Sequence, residues 1–197
     1  MIFGILLLIS AGLLSIYNTL ESNKIENDNL DTVTQLENIY DQDVQNDSQN
    51  NDQISENINK NNQNLLSNGT SIKIKGNNYI GIIYIPGLNN LALPVIENCS
   101  EKNLKISICK YYGSLKENNL VIAGHNYKSS FGKLSRLTTG SLVYFKDASG
   151  NIYKYHCKKI ETLSPKSVRE MVTGDWDLTL FTCTYDGTNR VAYRFEL

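Results

Sequence analysis

Hydrophobic and polar positions divide the chain into three stretches. Residues 2–17 are apolar and uncharged and end in Tyr17, a residue suited to a membrane interface. With Asn18, Thr19 and Leu20 the run approaches the length of about 20 residues that a bilayer requires. It carries no basic n-region and no small-x-small cleavage site follows, so residues 1–20 read as an uncleaved membrane anchor rather than a signal peptide. Residues 21–70 are dominated by Asn, Asp, Gln, Glu and Ser and sustain no apolar period, which reads as a disordered polar linker. Within it Leu30, Val33, Leu36 and Ile39 have a faint helical rhythm that would allow a short amphipathic helix.

From Ser71 to Leu197 the pattern changes to short β-branched and aromatic runs punctuated by Gly, Asn and Asp. Strands are predicted over 80–85, 91–96, 119–123 and 178–183, and the last strand begins near Arg190. A hairpin is predicted from 141–146 through Asp147–Gly150 to 151–158, continuing over 160–163. Pro94 within 91–96 points to an edge or a ligand-lined groove. Ser100 suits a helix N-cap. Phe131, Leu134 and Leu137 share one face of a helical turn, and 165–171 suits a short helix. Strands at this spacing with so few helices predict a closed or nearly closed β-barrel.

Composition narrows the partners. A net charge of −1 supplies no field for nucleic acid, which is excluded as a partner on that ground. Four cysteines, Cys99, Cys109, Cys157 and Cys183, form no CxxC pair and are accompanied by two histidines, so no structural metal is expected. The even count permits disulfides in an oxidising compartment, but a domain with its own core does not need them, and none is expected.

The candidate chemistry lies at the ends of strands. Cys183 closes an apolar strand, is flanked by Thr182 and Thr184, and faces Arg190 across the following turn, an electropositive setting that favours thiolate. A lone cysteine is more often a small buried hydrophobe, and this context is what argues otherwise. His125 follows a buried strand and Gly124, a junction at which a rigid element aims a side chain into a cleft. His156 alternates with Lys154 and Lys158 on an exposed face and is set aside. Arg190 would stabilise the oxyanion formed when a thiolate attacks an amide. Arg194 shares its face by period two but lies farther from the turn, and Arg190 is preferred.

Thr179-Leu-Phe-Thr-Cys183, followed by Arg190 and preceded by Ala123-Gly-His125-Asn, resembles the TLxTC signature, arginine and histidine segment of the sortases. Ile80–Ile96, the Phe131–Leu137 stretch and the Gly140–Tyr155 hairpin extend the resemblance over about 80–195. It implies an eight-stranded sortase-like β-barrel with short helices over 71–197, held outside the cell by the anchor and tether. It also implies a cysteine transpeptidase that cleaves an LPxTG-like sorting signal between Thr and Gly. Cys183 would be the nucleophile, His125 the acid/base and Arg190 the oxyanion group, with Thr182 assigned to substrate binding. The partners implied are sorting-signal proteins and an amine on a peptidoglycan precursor or pilin. No acidic cluster suits a calcium site, so no cofactor is expected.

The His125–Cys183 interval is too short for the helical insertion of class B. No lid precedes the barrel and no apolar segment follows Leu197, as class C would lead one to expect. A class D-like or unclassified clostridial-type member is therefore expected. The alternative is an inert, membrane-tethered barrel that binds peptides or wall polymers.

Overall fold

The computed structural model describes residues 2–47, 66–67 and 71–197. Helix α1 spans Ile2–Asp47 and is followed by strands β1 (Leu66–Ser67), β2 (Ser71–Ile74), β3 (Asn77–Ile85) and β4 (Leu91–Ile96). After the one-turn helix α2 (Glu101–Leu104) come β5 (Ile108–Tyr112), β6 (Leu120–Ala123) and a 3-10 segment over Phe131–Arg136. The chain continues through β7 (Leu142–Asp147), β8 (Ile152–Leu163), helix α3 (Val168–Val172), β9 (Leu178–Cys183) and β10 (Arg190–Glu196). The strands join in the order β3-β4-β5-β6-β9-β10-β8-β7, and β7 returns to β3, closing an eight-stranded barrel. Strands β1 and β2 extend the sheet beyond the start of β3.

Two of these pairings are parallel, β4 with β5 and β6 with β9. Pro94 is accommodated because β5 pairs only with Val95 and Ile96, so β4 has no second neighbour where the ring sits. Strand β5 escapes the sequence pattern altogether: it is a short run, Ile108-Cys-Lys-Tyr-Tyr112, without clean alternation.

Inward side chains, including Ile83, Ile85, Val95, Ile122, Phe145, Tyr155, Leu180, Tyr193 and Phe195, fill the barrel. A second buried cluster lies on its outer surface, where Ile72, Tyr79, Ile82, Ile96 and Ala123 meet Val33, Leu36 and Tyr40 of α1. This explains why β3 is apolar at successive positions: one face meets the barrel interior and the other lies under a helix. Leu36 is fully buried, a contribution of about 1.5–3 kcal/mol.

The region expected to be a disordered linker is therefore helix as far as Asp47. Residues 48–65 and 68–70 of that linker lie outside the described residues. The packed stripe also differs from the apolar rhythm, because Leu30 is exposed and Ile39 half-buried. The buried positions are Asn29, Thr32, Val33, Leu36 and Tyr40. At the edge of that stripe the barrel supplies polar partners: the half-buried Glu37 pairs with Lys146 and accepts from the Tyr84 hydroxyl, and the Lys146 ammonium sits 4.3 Å from the Tyr40 ring centre.

The anchor expected at 1–20 is not found as a spanning segment: no described helix is long and apolar enough to cross a membrane. A further difference concerns the cysteines. Cys99 and Cys109 form a disulfide, contrary to expectation, tying the β4–α2 connection to β5 across a Cα separation of 5.0 Å. Their pairing depends on the parallel β4–β5 contact, which the spacing of the cysteines does not reveal. Cys157 is free but buried, and burial pushes its thiol pKa up.

Candidate active site

Strand β9 alternates. Leu178 and Leu180 point into the barrel, whereas Thr179, Phe181 and Cys183 occupy the opposite face. Its parallel neighbour β6 pairs Ala123 with Phe181, and the Gly124 amide donates to the Phe181 carbonyl at 3.1 Å. Two residues farther along each strand stand His125 and Cys183, so both side chains leave the sheet at one level of adjacent strands. Gly124 is required there by close approach, since a Cβ would lie 2.6 Å from the Phe131 ring and 2.8 Å from Ile108. On the other side β10 runs antiparallel and pairs Arg190 directly with Cys183.

These three residues line one cleft of about 680 Å³. Ala123 and Phe181 form its floor, Tyr111 meets Phe181 edge-on at 5.1 Å, and the Ser164–Val168 stretch and Met171 form one wall. The disulfide-tied segment around Cys99–Glu101 forms another. Cys183 is half-buried, in contrast to Cys157. Thr182 also borders the cleft but is 6% exposed, and its hydroxyl has no hydrogen-bond partner among the described residues.

The turn between β9 and β10 is organised around Asp186, which accepts from the Thr188 amide and from the Thr184 and Thr188 hydroxyls. Those bonds hold its carboxyl below the usual range. The Asn126 side-chain amide bridges from the histidine segment to the Thr184 carbonyl at 2.9 Å, so the loops at the cleft ends of β6 and β9 are joined. Arg190 donates to the carbonyls of Asn189 and Gly187 at 3.1 and 3.4 Å. It forms no ion pair among the described residues, leaving its charge for the cleft.

Arg194 is different. It is 1% exposed and spends its guanidinium on Glu161 (2.9 Å), the Met171 carbonyl (2.8 Å), the Glu170 carbonyl (2.6 Å) and the Thr179 hydroxyl (3.0 Å). It therefore ties α3, and with it one cleft wall, to β9. His156 lies on β8 opposite Leu142 and Glu196 and does not border the cleft.

The His125 ring is half-buried and stacks on Tyr127, with centroids 4.8 Å apart and planes inclined by 25°. Burial lowers its pKa below the ordinary 6.5, and Lys105 adds to that effect while Glu101 opposes it. Asn126 and Tyr127 were not singled out by sequence, although both adjoin His125. Among the described residues no group of three or more His, Cys, Asp or Glu side chains gathers as a metal site.

A family model described as "Sortase domain" matches residues 83–196, more than half of the chain. The chain belongs to the sortase family. Solved structures agree on the fold. Sortase D5, a transpeptidase of Clostridium perfringens, superposes with a TM-score of 0.62 at 19% identity, covering 87% of this chain and 98% of that one. Sortase C1 of Streptococcus agalactiae gives a TM-score of 0.53 at 30% identity over 60% of this chain and 66% of that one. Sortase C of Streptococcus pneumoniae gives 0.54 at 23% identity over 62% and 67%. None of the curated proteins matches the chain. This sortase, a member of a family of cysteine transpeptidases, is compatible with a class D-like assignment.

Proposed function

We propose that this sortase cleaves an LPxTG-like sorting signal between Thr and Gly and transfers the protein to an amine of a cell-wall precursor or a pilin. The observation that carries the reading is the convergence of Cys183, His125 and Arg190 at one end of β6, β9 and β10. In the first half-reaction the Cys183 thiolate attacks the Thr carbonyl carbon, forming a C–S bond. The negative charge that develops on the oxygen faces Arg190, whose guanidinium donates to two carbonyls and pairs with no carboxylate among the described residues. The C–N bond then breaks, and His125 gives a proton to the departing Gly amine, leaving a thioester. In the second half the acceptor amine attacks that thioester, its proton passes to His125, and the Cys183 thiolate departs. Thr182 is assigned to the substrate because its hydroxyl borders the cleft without a partner among the described residues.

The reading places the barrel outside the cytoplasm. A disulfide persists in an oxidising compartment, and Cys99–Cys109 is of that kind. The exposed apolar side chains near the free end of α1, among them Leu13, Leu14, Ile16 and Tyr17, offer a surface for the membrane.

The test is cleavage of a fluorogenic LPxTG-like peptide. Wild-type protein is expected to accumulate a thioacyl adduct visible by mass spectrometry and Cys183→Ala none. Retained cleavage in Cys183→Ala would sink the reading. Failure of Cys183 to react with thiol-directed reagents, with no adduct, would favour an inert peptide-binding barrel. Adding a candidate amine and measuring ligated product separates transfer from hydrolysis.

A further inference from the structure

The segment that carries His125 is a dense loop closed on itself. The Phe131 amide donates to the His125 carbonyl at 2.9 Å, and the Ser130 and Gly132 amides both donate to the Tyr127 carbonyl at 3.0 and 2.9 Å. A Cβ on Gly132 would stand 2.5 Å from the Asn126 carbonyl oxygen, so the loop has no slack at that point. On the cleft side it is held by the Asn126–Thr184 hydrogen bond. On the opposite side it is held by α1. There the Asn29 side-chain amide donates to the Ser129 carbonyl at 3.4 Å, with Asn29 and Ser129 3% and 2% exposed, and Lys133 pairs with Glu26 at 3.3 Å.

Asparagine is a poor helix former, and a buried side-chain amide is costly unless paired. Asn29 nevertheless sits on the packed stripe of α1, four residues before Val33 and seven before Leu36. What it accomplishes there is to satisfy a buried carbonyl two residues beyond Tyr127, whose ring lies against the imidazole. A continuous set of contacts thus runs from α1 through Ser129 and Tyr127 to His125.

We propose that α1 is an intramolecular brace for His125, with Asn29 and Tyr127 as its positioning residues. The inference rests on the role assigned to His125 above and adds that the N-terminal helix is part of the enzyme's working structure, not only a tether. An acid/base must meet both the departing and the incoming amine at one place, and displacement by about 1 Å can cost about 100-fold in rate. The charged and titratable groups facing the imidazole are Glu101 of α2, Lys105 beyond it, Cys183 of β9, Arg190 of β10 and Tyr127 of the same loop. None of these lies on α1, so a change at Asn29 reaches His125 only through the loop. When the brace is cut the loop opens, water reaches the ring, and the burial that lowers its pKa is relieved.

The test uses the full chain carrying Asn29→Ala, with the ring signals of its two histidines followed by NMR against pH. His156 on β8 is the internal reference. The His125 midpoint is expected to move upward in Asn29→Ala and in Tyr127→Leu. Peptide-cleavage kcat is expected to fall about 10-fold with KM changed less than about twofold, the pattern of a misplaced reacting group. Thr34→Ala, on the exposed face of α1, should alter neither. A folded Asn29→Ala protein with wild-type His125 titration and kcat overturns the brace. Should that variant not fold, Asn29→Leu keeps about the same size without the donor or any charge, and an unchanged titration there overturns the proposal equally. The NMR readout needs no turnover, so a wild-type protein without transpeptidase activity would refute the function while leaving the brace open to the same measurement.

Discussion

The two ends of strand β10 carry the same residue type on the same face and use it in opposite ways. At the cleft end, Arg190 donates to carbonyls of its own turn and, among the described residues, pairs with no carboxylate. Four residues on, Arg194 is sealed from solvent and every nitrogen is used, by Glu161, by two carbonyls at α3 and by Thr179. The difference teaches that a guanidinium available to a reaction is one the fold has left without an anionic partner. A guanidinium that organises the fold is one whose partners outnumber its freedom. Without burial and partners in view, period-two spacing cannot separate the roles.

The contrast can be broken most sharply at the open end. Arg190→Met should lower kcat about 100–1,000-fold, the range for losing one preorganised oxyanion donor, while the urea midpoint stays where it was. If folding stability falls instead and cleavage survives, the two arginines have been assigned the wrong way round. Arg194→Met should do the reverse first: a loss of about 3 kcal/mol in urea unfolding, at the low end for breaking a buried pair. Glu161 retains Lys159 at 2.6 Å and so is not left alone. Equal stability of this variant and wild type would refute the structural role.

A smaller effect separates the ends by pH. Burial pushes the Glu161 carboxyl up, but hydrogen bonds from Lys159 and Arg194 more than offset it, and its pKa lies below the ordinary 4.5. Being depressed, it contributes stability that is present above about 4.5 and lost as pH falls through its folded value. Urea unfolding of Glu161→Gln should accordingly show a shallower acid limb than wild type below that pH; coincident limbs would contradict the pairing. The cleft end has the same sign but a different cause, burial of a base, and a higher pH window. His125 is also depressed, and again the unfolded chain binds the proton more readily, so stability falls as pH drops through 6.5 toward the folded value. His125→Gln should flatten that gentle slope below the ordinary imidazole value of 6.5, and an unchanged slope would argue against a desolvated imidazole.

Much of the barrel was legible because its strands are bounded by Gly, Pro and Asn and carry β-branched runs. The strands around 80–85, 91–96 and 178–183, the 141–163 hairpin and the Ser100 cap appear where the pattern places them. Strand β5 was not legible, because it is too short to alternate and takes its place only through the parallel contact with β4. The helix over 21–47 was hidden for a related reason. Its packed stripe contains Asn29 and Thr32, and such positions read as solvated until the barrel that pairs with them is present. Cys99 and Cys109 likewise become partners only once β4 and β5 lie side by side.

By itself the sequence determined the local matters: which runs are strands, where they end, and which side chains of catalytic type stand at those ends. His125 and Cys183 could be named because a strand end is a local property set by the residues around it. Tertiary structure alone decided what meets what. The parallel register of β6 and β9 brings His125 level with Cys183, and burial distinguishes Arg190 from Arg194. A polar helix becomes an ordered part of the barrel because the partners of its buried amide and half-buried carboxylate lie about 100 residues away along the chain, beyond the reach of any local pattern.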